Sequence, residues 1–227
     1  MKTEQELIRL RYENRKSNSR VSKHSKNSSF KYWIQKEREK EYRKILKTEF
    51  DDLASIKVLE IGAGAGGHIQ FFQSLGIPLN NIHVNELLED RVELIKENFP
   101  DVKIFEGDAL NIPEANNKKY DLIFQSTVFT SILDDGLKKS IANKMDELLT
   151  ENGIILWYDF VYDNPKNPDV KGVSKKEVGE LFNSYEFISK KKVTLAPPIG
   201  RRVKGLYPLI NIPPLRTHLV AALKKKS

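Results

Sequence analysis

Lys57-Val58-Leu59-Glu60-Ile61-Gly62-Ala63-Gly64-Ala65-Gly66-Gly67-His68-Ile69-Gln70 is the stretch around which the 227-residue chain is organised. Ile56 to Ile61 is a short, mainly apolar and β-branched run, the pattern of a strand buried on both faces in a parallel sheet. Gly62, Gly64 and Gly66 break it, allowing a sharp turn and contact between a ligand and the main chain. Ile69, Phe71, Phe72 and Leu75 then mark the apolar face of a helix ending near Gly76, with Pro78 beyond. Strand, glycine turn and helix N-terminus together suit a nucleotide-like ligand.

Other glycine turns share this outline, so the details decide. No Gly-Lys-Ser/Thr closes the turn, which excludes a phosphate loop. The spacing is Gly-x-Gly-x-Gly, and Glu60 lies inside the strand just before it. In these residues, Val58 to Gly66, the chain resembles the class I S-adenosylmethionine-dependent methyltransferases. The resemblance implies S-adenosyl-L-methionine as cofactor and S-adenosyl-L-homocysteine as product. It also implies a Rossmann-like α/β fold: a seven-stranded sheet with its seventh strand antiparallel and helices on both faces. Glu60, Gly62, Ala63, Gly64 and Gly66 are the expected cofactor contacts in the turn.

Later strands extend the reading. Glu86 follows the second strand, 20 residues beyond Gly66. At that separation a carboxylate meets ribose hydroxyls in a βαβ unit, and it can accept both hydrogens. Glu86-Leu87 resembles the family's ribose motif. After the third strand, at residues 102–106, family resemblance assigns Asp108 to the adenine amine and Ala109 to a ring nitrogen. A turn Asp capping its own backbone is the alternative. Gln125 stands at the exit of the fourth strand as a further cofactor contact. The Asn/Asp-Pro-Pro-aromatic segment of amino-methylating relatives is missing there, as is the Asp of metal-dependent catechol-type relatives, and no metal is expected.

The fifth strand ends in an aromatic, proline-rich tail, Trp157 to Asp169. Ligands in such sheets lie beyond the carboxyl ends of the strands, so this tail faces the acceptor. Asp159 is the candidate general base, with a carboxylate that holds loop N–H groups as the alternative; Tyr158, Asp163, His24 and His218 are further candidates, and Tyr158 and Asp163 are also expected to bind the acceptor. His68 reads as packing or cofactor-adjacent, and His83 as structural. Ser174 to Glu177 forms a capping box that opens a helix. A helix over residues 140–149 should stop at Asn152-Gly153. Residues 196–215 carry five prolines and the pair Arg201-Arg202, read as an extended insertion whose arginines hold an anionic group on the acceptor.

Charge divides the chain in three. Residues 1–50 carry +8, residues 51–189 carry −11 and residues 190–227 carry +10. Basic ends suit an anionic acceptor, a nucleic acid or weak association with an acidic membrane surface. With no cysteine, disulfides, thiolate metal sites and cysteine nucleophiles are excluded. No apolar run spans a membrane and the N-terminus has no signal-peptide core, so the expected location is cytoplasmic. The expected organisation is a helical lid at residues 1–50, including Tyr12 at the acceptor, and a methyltransferase domain at 51–227. Ser17 to Ser29, too polar to order itself, should be a mobile loop.

Three phrases resemble a subset from bacterial surface-polysaccharide and O-antigen biosynthesis. They are Gln125-Ser-Thr-Val-Phe-Thr-Ser-Ile-Leu-Asp134; Leu156-Trp-Tyr-Asp-Phe160 with Asn164-Pro-x-Asn-Pro-Asp169; and Leu195-Ala-Pro-Pro-Ile-Gly-Arg201 with Arg216-Thr-His218. That subset implies O-methylation of a sugar, nucleotide-sugar or lipid-linked glycan. Methylation of another small metabolite or of RNA is the alternative; the missing base-methylation motifs make nucleic acid the weaker partner. Oligomeric state is not readable.

Overall fold

The computed structural model describes residues 2–19, 28–113 and 119–226. Seven strands form one sheet: β1 Val58–Ile61, β2 Ile82–Glu86, β3 Lys103–Glu106, β4 Tyr120–Ser126, β5 Leu149–Phe160, β6 Tyr185–Leu195 and β7 Arg216–Lys225. Their order is β3-β2-β1-β4-β5-β7-β6. Strands β1 to β5 pair in parallel, while β7 runs antiparallel between β5 and β6, as expected.

The α-helices are α1 Glu4–Ser19, α2 Ser28–Glu49, α3 Ile69–Gln73, α4 Glu89–Asn98, α5 Asp135–Leu148, α6 Lys175–Leu181, α7 Pro197–Val203 and α8 Tyr207–Ile210. Strand alternation divides the core in two. Val58, Leu122, Phe124, Leu156 and Tyr158 face a layer that includes Tyr42 and Leu46 of α2, Phe72 of α3 and Ile95 of α4. Leu59, Ile61, Ile123, Ile155 and Trp157 face Ile8 of α1, Met145 of α5 and Val178 of α6. Both faces of β1 and β4 are therefore dry, which explains their continuous apolar runs.

The Ser174–Glu177 capping box forms in both directions. Other boundaries differ from expectation. Helix α5 starts five residues early, because Asp134 Oδ1 accepts from Leu137 N–H and caps it. Asn152-Gly153 is no helix stop: Leu149 pairs with Tyr120, so the chain is already strand there. The insertion is not extended. Its prolines fall in the first turns of α7, α8 and a 3-10 turn at Pro213–Leu215, where the missing N–H costs nothing. Ser17 to Ser19 belong to α1 and Ser28 and Ser29 to α2; the rest of the expected loop, with His24, lies outside the described residues.

Candidate active site

The parallel strand ends open onto a cavity of about 340 Å³. At the exit of β1, Gly62 has φ +66° and lies so close to the β4 exit that a Cβ would sit 2.5 Å from Val128 Cγ2. Only glycine fits. Ala63 N–H donates to the Asn85 carbonyl (2.9 Å), tying the turn to β2. Gly64 N–H donates to Glu86 Oε2 (2.7 Å), and Leu88 N–H donates to Glu86 Oε1 (2.9 Å). Glu86 lines the cavity, and a carboxylate has about four acceptor positions, so these bonds do not exhaust it. Burial raises the Glu86 pKa, against the pull of these N–H groups and of Arg91.

At the exit of β3, Asp108 Oδ1 caps the following turn by accepting from Leu110 N–H (3.0 Å). Its Oδ2 accepts from Gln5 Nε2 (2.6 Å), a contact from α1. Ala109, Ile132, Leu137 and Ile141 make this end apolar, suited to a flat ring. Helix α1 roofs the cavity with Gln5, Ile8 and Tyr12. Its anchors are Glu4 Oε1, which accepts from Leu133 N–H (2.8 Å), and Arg11, which donates to the Ser131 carbonyl (3.1 Å). Arg15 pairs with Asp169 and Lys16 with Asp90. The Tyr12 hydroxyl meets Ser131 Oγ at 3.2 Å, and Arg91 and Arg15 flank its ring.

The rest of the lining includes polar groups. Glu60 Oε1 and His68 Nδ1 lie 2.6 Å apart, deep in the wall. Glu60 Oε2, His68 Nε2 and Arg38 Nε are buried without a hydrogen-bond partner. Arg15 Nε, Tyr42 Oη and Trp157 Nε1 are also buried without one; Glu60, His68 and Arg38 differ from these in lining the cavity. Thr127, next to Ser126 at the β4 exit, has φ +59°, a strained value for a β-branched residue.

This donor set fits S-adenosylmethionine. A carboxylate able to accept two hydroxyls and an apolar slot suit its nucleoside end. The Glu60 carboxylate and the Arg38 guanidinium, both in the lining, suit the ammonium and carboxylate of its amino-acid end.

Glu60, Gly62, Ala63, Gly64, Glu86, Leu87, Asp108, Ala109 and Tyr12 all line the cavity. Other expected residues stand back from it. A Cβ at Gly66 would touch Ile69 and Phe99, so it serves turn packing. Gln125 is fully buried; its Oε1 accepts from Val128 N–H (3.2 Å). Asp159 is fully buried under residues 127–131, its carboxyl accepting from Thr130 N–H, Thr130 Oγ1 and Phe160 N–H. Tyr158 bonds Thr194 Oγ1 (2.9 Å), and its ring stacks on His218. Asp163 Oδ1 accepts from Gly172 N–H within its own loop. Arg201 and Arg202 are exposed on α7, outside the lining. Arg38, Gln5 and Ile8 line the cavity without having been expected there. One signal marked Arg38: it interrupts the apolar stripe Ile34, Tyr42, Ile45 at the i+4 position.

Residues 58–153 match a methyltransferase-domain family. The protein is an S-adenosylmethionine-dependent methyltransferase. The methyltransferase matches no curated protein sequence. Among solved structures it is similar to 1,6-didemethyltoxoflavin-N1-methyltransferase from Burkholderia thailandensis, with 14% identity, TM-score 0.65, and coverage of 100% of this chain and 92% of that one. A TehB-like S-adenosylmethionine-dependent methyltransferase from Corynebacterium glutamicum shares 14% identity, with TM-score 0.58 and coverage of 96% and 97%. The glycopeptide N-methyltransferase MtfA complexed with S-adenosylmethionine also shares 14%, with TM-score 0.58 and coverage of 84% and 95%. At these identities the likeness is one of fold. Among the described residues, no helix of the methyltransferase is long and apolar enough to cross a membrane.

Proposed function

We propose that this methyltransferase O-methylates a sugar-type hydroxyl on an anionic acceptor: a sugar, a nucleotide-sugar or a lipid-linked glycan. Residues 1–50 serve as its lid and 51–227 as its catalytic domain, acting in the cytoplasm. The observation that carries the site assignment is one cavity lined together by the glycine turn, by Glu86 and Asp108, and by Glu60 and Arg38. A ligand with a nucleoside at one end and an amino-acid zwitterion at the other satisfies both pairs.

The bound cofactor supplies a methyl already activated on a sulfonium. What remains for the chain is orientation. Glu86 fixes the ribose, Asp108 and Ala109 the adenine, and the Glu60–Arg38 end the amino acid. Helix α1 covers the cavity and excludes water. Ser126, Thr127 and Tyr12 bring three hydroxyl-bearing side chains to the lining, and the acceptor is assigned to them as a polyol. Asp159 is assigned to the core, because its carboxyl has no path to the acceptor. The three phrases resembling polysaccharide-biosynthesis enzymes and the basic chain ends support the acceptor class.

The test offers labelled methyl donor with nucleotide-sugars, glycans, heteroaromatic metabolites and total RNA in parallel. The expected label is alkali-stable and on a sugar hydroxyl. Label on a heteroaromatic nitrogen or on RNA, with the sugars blank, would overturn the acceptor and leave the cofactor assignment standing.

A further inference from the structure

The segment between β6 and β7 has an inner and an outer face. Inside, Tyr207 is buried, stacks on Trp33 of α2 (6.2 Å between ring centroids, 3° between planes) and lies 5.9 Å from Phe30. Its hydroxyl donates to Glu37 Oε2 (2.8 Å), and Asn211 Nδ2 donates to Glu37 Oε1 (2.7 Å). The segment is therefore a rigid platform fixed to α2. Outside, Leu206, Leu209 and Ile212 are 56%, 77% and 50% exposed. They recur every third residue, while Tyr207 and Ile210 between them turn inward. Arg201 and Arg202 are exposed one element earlier, and residues 196–215 contain no acid; of the other basic residues in 190–227, Lys191, Arg216, Lys224 and Lys225 pair with Glu41, Glu37, Glu49 and Asp146.

Three large apolar side chains left half or more exposed, next to two exposed arginines, mark an interaction surface. Charge complementarity selects the partner. We propose that this platform docks the enzyme on an anionic lipid surface. Leu206, Leu209 and Ile212 enter the headgroup–acyl boundary, and Arg201 and Arg202 pair with lipid phosphates. The position is apt. Glu37 holds the platform and the next residue of α2, Arg38, lines the cavity, so platform and active site are fixed to the same helix. The inference stands apart from the acceptor assignment.

Sedimentation of the purified full chain with phosphatidylcholine vesicles, with and without phosphatidylglycerol, tests this. The chain is expected to bind the mixed vesicles about tenfold more tightly, and to be released by salt. L206S/L209S/I212S should lose vesicle binding about tenfold while keeping S-adenosylhomocysteine affinity, and R201Q/R202Q should lose the preference for anionic lipid. A wild-type chain that stays in the supernatant overturns the proposal. So does a triple variant that binds as tightly as wild type. A dimer in sedimentation equilibrium that the triple variant dissolves, without vesicle binding, would assign the face to a second copy. If the triple variant does not fold, L209D alone carries the same expectation, since Leu209 is the most exposed of the three.

Discussion

Replacing Asp159 with Asn removes a titration that the fold makes costly. The Asp159 carboxyl is fully buried, and burial outweighs its hydrogen bonds from Thr130, Phe160 and Phe129, pushing its pKa up to about 7. In the unfolded chain it titrates near 3.9. Between about pH 4 and pH 7 the folded chain thus holds a proton that the unfolded chain has released, and stability falls as pH rises through that window. About three pH units at 1.36 kcal/mol each give a ceiling on the order of 4 kcal/mol. His218 works in the opposite sense: burial lowers its pKa to about 4, so its contribution is lost as pH falls from about 6.5. The two slopes largely cancel in the wild-type chain. Asn does not titrate, so Asp159→Asn should gain stability relative to wild type, step by step, from pH 4 to pH 7. Denaturant unfolding at stepped pH measures the difference. A difference that does not change with pH would refute the reasoning, because it would mean a solvated, ionised carboxylate. A folded variant that has lost methyl transfer would instead make Asp159 catalytic.

Glu86→Ala should weaken S-adenosylhomocysteine binding by about 1–3 kcal/mol in calorimetry, having lost the charged acceptor for the ribose; unchanged affinity would remove Glu86 from that role. Gly62→Ala places a Cβ 2.5 Å from Val128 Cγ2 at positive φ, and should cost about 1–3 kcal/mol of thermal stability, partly recovered when Val128→Ala is added. Arg38→Gln should weaken S-adenosylhomocysteine about tenfold yet leave methylthioadenosine, which lacks the amino-acid end, unaffected. Equal losses for both ligands would separate Arg38 from that end.

The sheet and the glycine turn were legible in the sequence because their determinants are local. A strand, a turn only glycine can make and a carboxylate one strand further on lie within 30 residues. Residues placed by docking were not. Gln5 reaches Asp108 across 103 positions, and Arg38 lines the cavity only because Tyr42 and Leu46 seat α2 against the sheet. Asp159 misled for a related reason. A carboxylate at a strand's carboxyl end reads as a site residue, but residues 127–131 fold over it and Thr130 closes it off. The prolines of 196–215 suggested an extended chain, yet proline in a helix's first turn is compatible with helix, and packing against Phe30 and Trp33 decides.

Titration calorimetry of the full chain with S-adenosylmethionine tests the central claim most directly. The cavity between the glycine turn and α1 predicts one site per chain with micromolar affinity, about −8 kcal/mol. A folded chain that takes up neither S-adenosylmethionine nor S-adenosylhomocysteine would contradict it.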